Sequence, residues 1–494
     1  MNSARLIRIP TLKTVEDFSR HVADLGIELP CDAAILTGSA SPLSQPLDPV
    51  RVNGKTIGNR LAIQPIEGWD RTRTGGITEE VRRRWRHFGS SGAKLIWGGE
   101  AMAVRADGRA NPNQLMITPE NKAALAELRG LLVAEHADRF GKTDDLVVGF
   151  QLTHSGRFCK PNDHARIEPH VGCRHPILDR RYGVISDDQV FTDDELSRLV
   201  EDYVRAARIA HDVGADFVDI KHCHGYLLHE LLGAHVRPGR FGGSFENRTR
   251  LFSNIVQAIR ASGNPIEIGV RLSAFDMVPF RPDPQLSTAG RPGRGIPEDW
   301  VGLVPYLYGF GVNRQNPTEP DLEEAHRFLE LAAGLGVKLV NITAGSPYYN
   351  PHIQRPAAYP PSDGYLPPED PLVGVARQVQ AVRQLRAHAP AGMVIVGSAY
   401  SYLQEYLPHV AQFVVRSGWA DIIGVGRMVL SYPTMLQEAM ETGAVNPKVI
   451  CRTFSDCTTA PRNGLVSGCY PLDKYYASKP EAARLKELKR ASGV

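Results

Sequence analysis

Eight short apolar runs alternate with eight longer amphipathic stretches between about residue 55 and residue 442. The runs cover 61–66, 94–98, 146–152, 216–220, 266–272, 338–342, 393–397 and 421–425. Nearly continuous apolar content, bounded by Gly and polar residues, suits strands buried on both faces of a parallel sheet. Helical patterns separate the runs, near 78–90, 120–139, 246–262, 321–335, 370–388, 401–417 and 433–442. The clearest helix follows Thr192, which forms a capping box with Glu195. Leu196, Leu199, Val200, Tyr203 and Ala207 then recur at helical spacing, and Gly214 stands at the expected C-cap. The alternation predicts an α/β protein with a (β/α)8 TIM barrel. An open doubly wound sheet is the alternative, but no G-x-G-x-x-G fingerprint follows the first strand.

A chain of 494 residues accommodates such a barrel with extensions. The expected division is an N-terminal extension over 1–50, a barrel over 51–445 and a C-terminal extension over 446–494. Residues 36–46 are rich in turn formers and lead into the barrel. Three connections exceed what a minimal barrel needs: 158–191, 273–320 and 345–371. Each follows a strand, so each lies on the C-terminal face, where long loops build a pocket or lid. The third holds eight prolines and four tyrosines, and that aromatic content argues against disorder.

Net charge is +3, with 42% apolar and 22% charged residues. This balance gives no case for nucleic acid or an anionic membrane as a partner. No run approaches the ~20 apolar residues of a spanning helix. Residues 1–10 do not read as a signal peptide, because Arg5 and Arg8 interrupt them and no apolar core follows. Seven cysteines in a sparse, odd set suggest reduced thiols in a cytoplasmic protein. A small-molecule substrate is expected, and homo-oligomerisation is left open.

Chemistry concentrates where the fourth run ends. Lys221, His222, His224 and Tyr226 place four proton-donating or oxyanion-binding side chains within six residues. In a barrel, strand C-termini carry the active site; a polar surface turn is the plainer alternative. The seventh and eighth runs end in Gly397-Ser398-Ala399 and in Gly426-Arg427, each at a helix start. Free N–H groups and an Arg there bind phosphate. Gln151 closes the third run and can pair with a heterocycle edge. Arg271 closes the fifth and can stabilise negative charge on a cofactor. Gly98-Gly-Glu-Ala101 follows the second, and its small residues admit a flat ring.

Taken together, Asn59-Arg-Leu-Ala-Ile-Gln-Pro65, Gln151-Leu-x-His-x-Gly-Arg157, His224-Gly-Tyr-Leu-Leu228, Phe241-Gly-Gly-Ser-x-Glu-Asn-Arg-x-Arg250, Gly269-Val-Arg271 and Ala420-Asp-x-x-Gly-x-Gly-Arg427 resemble the Old Yellow Enzyme family of FMN-dependent ene reductases. The resemblance covers roughly residues 50–445. It implies an FMN barrel with Pro65, Ile66 and Glu67 along the flavin and Ala101 beside it. Gln151 would bind the pyrimidine edge, and Arg271 would sit near N1 and O2. Gly397, Ser398, Gly426 and Arg427 would hold the phosphate. NAD(P)H would supply hydride, His224 would bind the substrate carbonyl, and Tyr226 would protonate the α-carbon.

The chain departs from the family at two places near the expected flavin. Lys221 stands where many members carry a second carbonyl-binding His, with His222 as an extra neighbour; it would favour a carboxylate or thioester substrate. Glu67 takes a place usually held by Thr or Cys and would lower the flavin potential. The cysteines Cys451, Cys457 and Cys469 resemble the iron–sulfur segment of the dienoyl-CoA reductase branch. Phe454 occupies the position of the second ligand, so a 4Fe-4S cluster is expected to be lost. The expected function is transfer of hydride from NAD(P)H, through FMN, to an activated C=C bond. The rivals are an oxidative flavoenzyme of the amine dehydrogenase type, a flavin-free barrel isomerase or lyase acting on a phosphorylated substrate, and a non-catalytic flavin-binding subunit.

Overall fold

The computed structural model describes residues 6–492. The ends of both expected extensions, 1–5 and 493–494, lie outside the described residues, as does part of the segment read as lacking a signal peptide. Eight parallel strands form the barrel: β1 (Leu61–Ile63), β2 (Leu95–Ile96), β3 (Val147–Thr153), β4 (Phe217–Ile220), β5 (Glu267–Ser273), β6 (Leu339–Thr343), β7 (Val394–Gly397) and β8 (Ile422–Val425). Each strand pairs with the next, and β1 closes the ring on β8 with Ala62 opposite Gly424.

Helices fill the connections: α1 (Glu79–Gly89), α2 (Lys122–Phe140), α3 (Asp193–Asp212), α4 (Arg250–Ala261), α5 (Glu323–Gly334), α6 (Pro371–Ala387), α7 (Leu407–Arg416) and α8 (Met435–Thr442). The (β/α)8 expectation holds. The capping box at α3 is formed: the Thr192 hydroxyl accepts from Glu195 N–H at 3.2 Å, and Thr192 N–H reaches the Glu195 carboxylate at 2.8 Å.

Some boundaries differ from the expectation for local reasons. β1 stops at Ile63, two residues before Pro65, which has no N–H for a ladder bond. β2 stops before Gly99, whose φ of +53° turns the chain. A short strand, Ala101–Ala103, then pairs with the far end of β3 and sets Ala101 opposite Gln151. α7 begins at Leu407, not near 401, because Gln404 at φ +52° breaks the helix ahead of it.

Two apolar layers hold the barrel. Inside, Leu95, Trp97, Phe217, Leu339 and Val394 pack with Leu47, Val52 and Ile57, so the segment before β1 seals the N-terminal end. Outside, alternate strand residues meet the helices in a larger cluster that also takes in Ile9, Phe18 and Val22. Each fully buried Leu, Ile or Phe contributes about 1.5–3 kcal/mol.

The three long connections fold into a cap on the C-terminal face. The first carries a helix, Pro176–Tyr182; the second a ribbon of Phe280–Pro282 against Gly295–Pro297; the third a helix, Pro351–Gln354. Ile177, Phe280, Tyr306 and Tyr365 pack them together. The C-terminal segment docks beside this cap through Arg83–Asp473 at 2.9 Å and Lys479–Glu80 at 2.8 Å. Among the described residues no helix is long and apolar enough to cross a membrane.

Candidate active site

The period-two geometry of β4 and its continuation sorts the residues at its end. Phe217 belongs to the inner cluster, and Val218 and Ile220 to the outer one. Asp219 and Lys221 therefore point inward, and His222 points outward. His222 lies between the rings of Phe252 and Phe328, at 4.9 and 5.5 Å, with Nδ1 2.8 Å from the Ile220 carbonyl. Burial pushes its pKa down to about 3. Sequence analysis grouped His222 with the catalytic residues; the structure turns it away from them, into the layer between barrel and helices.

A single cavity at the C-terminal mouth takes in Pro65, Ile66, Glu67, Ala101, Gln151, Lys221, His224, Tyr226, Arg271, Ser398, Gly426 and Arg427. Its empty space is about 1400 Å³, part of it open to solvent. Gly397 stands just behind the wall, its carbonyl accepting from Gln64 Nε2 at 3.3 Å. A Cβ there would come 2.3 Å from the Tyr400 hydroxyl, so the position requires Gly.

Asp219, fully buried at the barrel axis, sets one end of the cavity. It accepts from Trp97 Nε1 at 2.7 Å, Gln151 Nε2 at 2.6 Å and the backbone N–H of Arg271 at 2.6 Å. Desolvation raises its pKa, and these three donors oppose the shift. Because a carboxylate only accepts, Gln151 gives it the amide N–H and keeps its own oxygen free for a donor. Arg271 Nε is buried with no hydrogen-bond partner among the described residues. A buried cation left so is costly without an acceptor.

At the opposite end three arginines converge. Arg427 donates to the Thr458 hydroxyl and is pushed down to about 10, chiefly by burial and then by the neighbouring Arg355 and, less strongly, Arg462. Such mutual repulsion suits an anion between them. Ser398 lies nearby, its hydroxyl accepting from Gln64 Nε2 at 3.1 Å. Gln64 also exchanges two amide hydrogen bonds with Asn341, at 3.1 and 2.6 Å.

The third region is polar and aromatic. The Tyr226 hydroxyl donates to Glu67 Oε2 at 2.7 Å and lies 2.9 Å from the Tyr348 hydroxyl. Lys221 Nζ sits 3.7 Å from the Tyr226 ring centroid and 3.8 Å from Glu67 Oε2. Its charge is thus already answered by Glu67, which weakens the expectation that it recruits an anionic substrate. Burial and the adjacent Glu67 raise the Tyr226 pKa well above its usual value, so the phenol stays protonated. His224 holds a left-handed backbone at φ +67°, with its N–H on Ser273 Oγ at 3.1 Å and its carbonyl accepting from Ser346 Oγ at 2.8 Å. Burial, then Arg271 and Lys221, keep its imidazole neutral.

Cys457 lines the cavity, while Cys451 and Cys469 are buried behind it. Phe454 stacks on Tyr359 with ring centroids 5.9 Å apart and offers no donor atom. Among the described residues no group of three or more His, Cys, Asp or Glu is arranged to hold a metal ion. This donor set does not fit a four-thiolate cluster.

Sequence reasoning missed Asp219, Gln64, Asn341, Tyr348, Arg355 and Arg462. Asn341 carried a signal, a polar residue inside the buried run of β6, in register with Arg271. Arg462 and Thr458 carried none, because the C-terminal segment reaches the cavity only through tertiary contacts.

The comparisons with known proteins agree with this geometry. The sequence profile of the NADH:flavin oxidoreductase / NADH oxidase family matches residues 47–283. NADH:flavin oxidoreductase FG08077 of Gibberella zeae is 25% identical over 413 residues, covering 79% of this chain and 83% of that protein. The 12-oxophytodienoate reductase 1 of Oryza sativa subsp. japonica is 39% identical over 84 residues, 17% of this chain and 22% of that one. The solved old yellow enzyme homologue from Zymomonas mobilis shares the fold with a TM-score of 0.53 at 20% identity, over 83% of this chain and 95% of that chain. Residues 47–283, just under half of the chain, thus match the NADH:flavin oxidoreductase / NADH oxidase family, and the barrel shares its fold with the old yellow enzyme homologue.

Proposed function

We propose that the chain reduces an activated C=C bond, with Tyr226 as proton donor and His224 as the carbonyl-binding group. The carrying observation is that both side chains open into one cavity with Arg271, whose buried Nε has no hydrogen-bond partner among the described residues. The likeness to 12-oxophytodienoate reductase over residues of this chain supports the same reading.

The residues present fit FMN. Arg271 offers a buried cation in need of an acceptor, Gln151 a free acceptor oxygen, and Arg427 with Ser398 and Gly426 an anion cradle. Arg355 and Arg462, new to the set, add positive charge at that end. When bound, FMN supplies hydride exchange between a nicotinamide and the substrate. Within that arrangement a neutral His224 donates one N–H to a carbonyl oxygen and draws electron density from the β-carbon. The phenol of Tyr226, held protonated, gives its proton to the α-carbon. Pro347, Tyr348 and Pro461 wall this region and limit water. The C-terminal segment is proposed as part of the pocket wall rather than a cluster site. A cytosolic location is proposed with it, from seven unpaired thiols.

One observation favours the oxidative reading as second choice: the Tyr226 proton is directed at the Glu67 carboxylate, as it would be for a phenol acting as base. A flavin-free isomerase leaves Gln151 and Arg271 without purpose. The test is anaerobic. Protein loaded with FMN should lose its flavin absorbance on NADH or NADPH, and regain it on an enone but not on an amine-derived imine. Recovery with neither class of acceptor would overturn the reading.

A further inference from the structure

We propose that Tyr348 reloads Tyr226 with a proton as Tyr226 gives up its own, and that Glu67 positions the phenol between turnovers. The inference rests on the reading of Tyr226 as proton donor. Tyr226 is only 2% exposed, so little of it meets solvent. Its one proton is directed to Glu67 at 2.7 Å, and a lone pair faces the Tyr348 hydroxyl at 2.9 Å. Tyr348 lines the same cavity and is only half-buried. It is held there from two sides. Its ring stacks on Phe158 at 3.9 Å and 11°, and its carbonyl accepts from the Tyr182 hydroxyl at 2.7 Å.

The charged groups around this line are few. Lys221 lies over the Tyr226 ring, Glu67 accepts its proton, and Arg462 lies 5.7 Å from the Tyr348 ring centroid. Trp69 Nε1 fixes the other Glu67 oxygen at 3.3 Å. In the proposed step the Tyr226 O–H bond breaks as a C–H bond forms at the α-carbon, using that carbon's electron pair. In the same step the Tyr348 proton moves to the Tyr226 oxygen, whose developing negative charge the Lys221 ammonium favours. Water at the cavity edge returns one proton to Tyr348, so each turnover draws one proton from solvent. Glu67 stays a carboxylate and receives the restored hydroxyl. It is a positioning residue, while Tyr226 and Tyr348 move the proton.

The experiment compares wild type, Tyr348→Phe, Glu67→Gln and Tyr226→Phe by stopped flow, with the protein loaded with FMN and pre-bleached by NAD(P)H. Cyclohexenone is the acceptor, and the rate is followed against the deuterium fraction of the solvent. Tyr348→Phe keeps the stacked ring but should slow alkene-dependent recovery about tenfold or more, beyond any effect on bleaching. Its dependence on deuterium fraction should change from curved, with two protons in flight, to straight. Glu67→Gln should alter the same curvature and shift the 13C resonance of the labelled Tyr226 Cζ. If Tyr226→Phe is slow while Tyr348→Phe and Glu67→Gln match wild type in rate and curvature, the relay is overturned and the proton-donor reading stands. If Tyr226→Phe also matches wild type, or wild type recovers with no alkene, both fall.

Discussion

Asp219 never touches the cavity, yet it holds the Gln151 side chain and the Arg271 backbone, two residues that do. Three donors meet its carboxylate, and Asn in its place can accept from them only through one oxygen. Leaving a buried donor unmade costs about 1–3 kcal/mol. Asp219→Asn should therefore lower the thermal midpoint and weaken FMN binding together, as read by unfolding scans and flavin fluorescence titration. Such a hub was not legible in the sequence, because its partners come from three distant stretches of the chain. Lys221, His224 and Tyr226 were legible, since a strand end dense in polar groups is unusual. His222 was misplaced because proximity in sequence was read without the alternation that Phe217 and Asp219 already define. His222→Leu should leave alkene reduction within about twofold of wild type. Its effect on stability has a definite sign. Above its unfolded pKa of about 6.5 neither state is charged. As pH falls from there toward about 3, the unfolded chain takes up a proton that folded His222 refuses, and stability is lost. The increment is about 2 kcal/mol by pH 5. Thermal scans at pH 7 and pH 5 should show a smaller difference for His222→Leu than for wild type.

Strands buried on both faces announce themselves as uninterrupted apolar runs, and all eight were found for that reason. Their ends were less clear where a single residue intervenes, such as Pro65 at β1 or Gly99 after β2. The long connections were expected to build a pocket, and their aromatic residues do pack into a cap. The C-terminal segment was the least legible element. Its cysteines suggested a degenerate metal site, but only Cys457 of them lines the cavity, beside Thr458, Arg462 and Ser467, which no local pattern marks. Ser467 Oγ accepts from Trp69 N–H at 3.1 Å across nearly the whole length of the chain. At the arginine end, Arg427→Ala should weaken FMN binding about 10- to 100-fold, from the about 1.5–3 kcal/mol of a charge-assisted hydrogen bond. Added salt should narrow that difference. An unchanged dissociation constant would remove Arg427 from the anion cradle.

For the molecule as a whole, barrel, cap and C-terminal segment each contribute wall to one cavity, and no one of them completes it. The barrel supplies Gln151, Arg271 and Lys221 at strand ends, where rigid backbone holds them. The cap supplies Tyr348 and Gln354, and the C-terminal segment supplies Arg462. The family match over residues 47–283 covers the first part of the barrel. Glu67 pairs with both Tyr226 and Lys221 at the cavity wall. The central claim is that Tyr226 donates the proton that completes alkene reduction, and rapid mixing of the pre-bleached, FMN-loaded protein with an enone tests it most directly. Tyr226→Phe is expected to slow recovery of flavin absorbance by about 10²- to 10⁴-fold, with bleaching by NAD(P)H affected far less. Equal recovery rates in Tyr226→Phe and wild type would contradict the account.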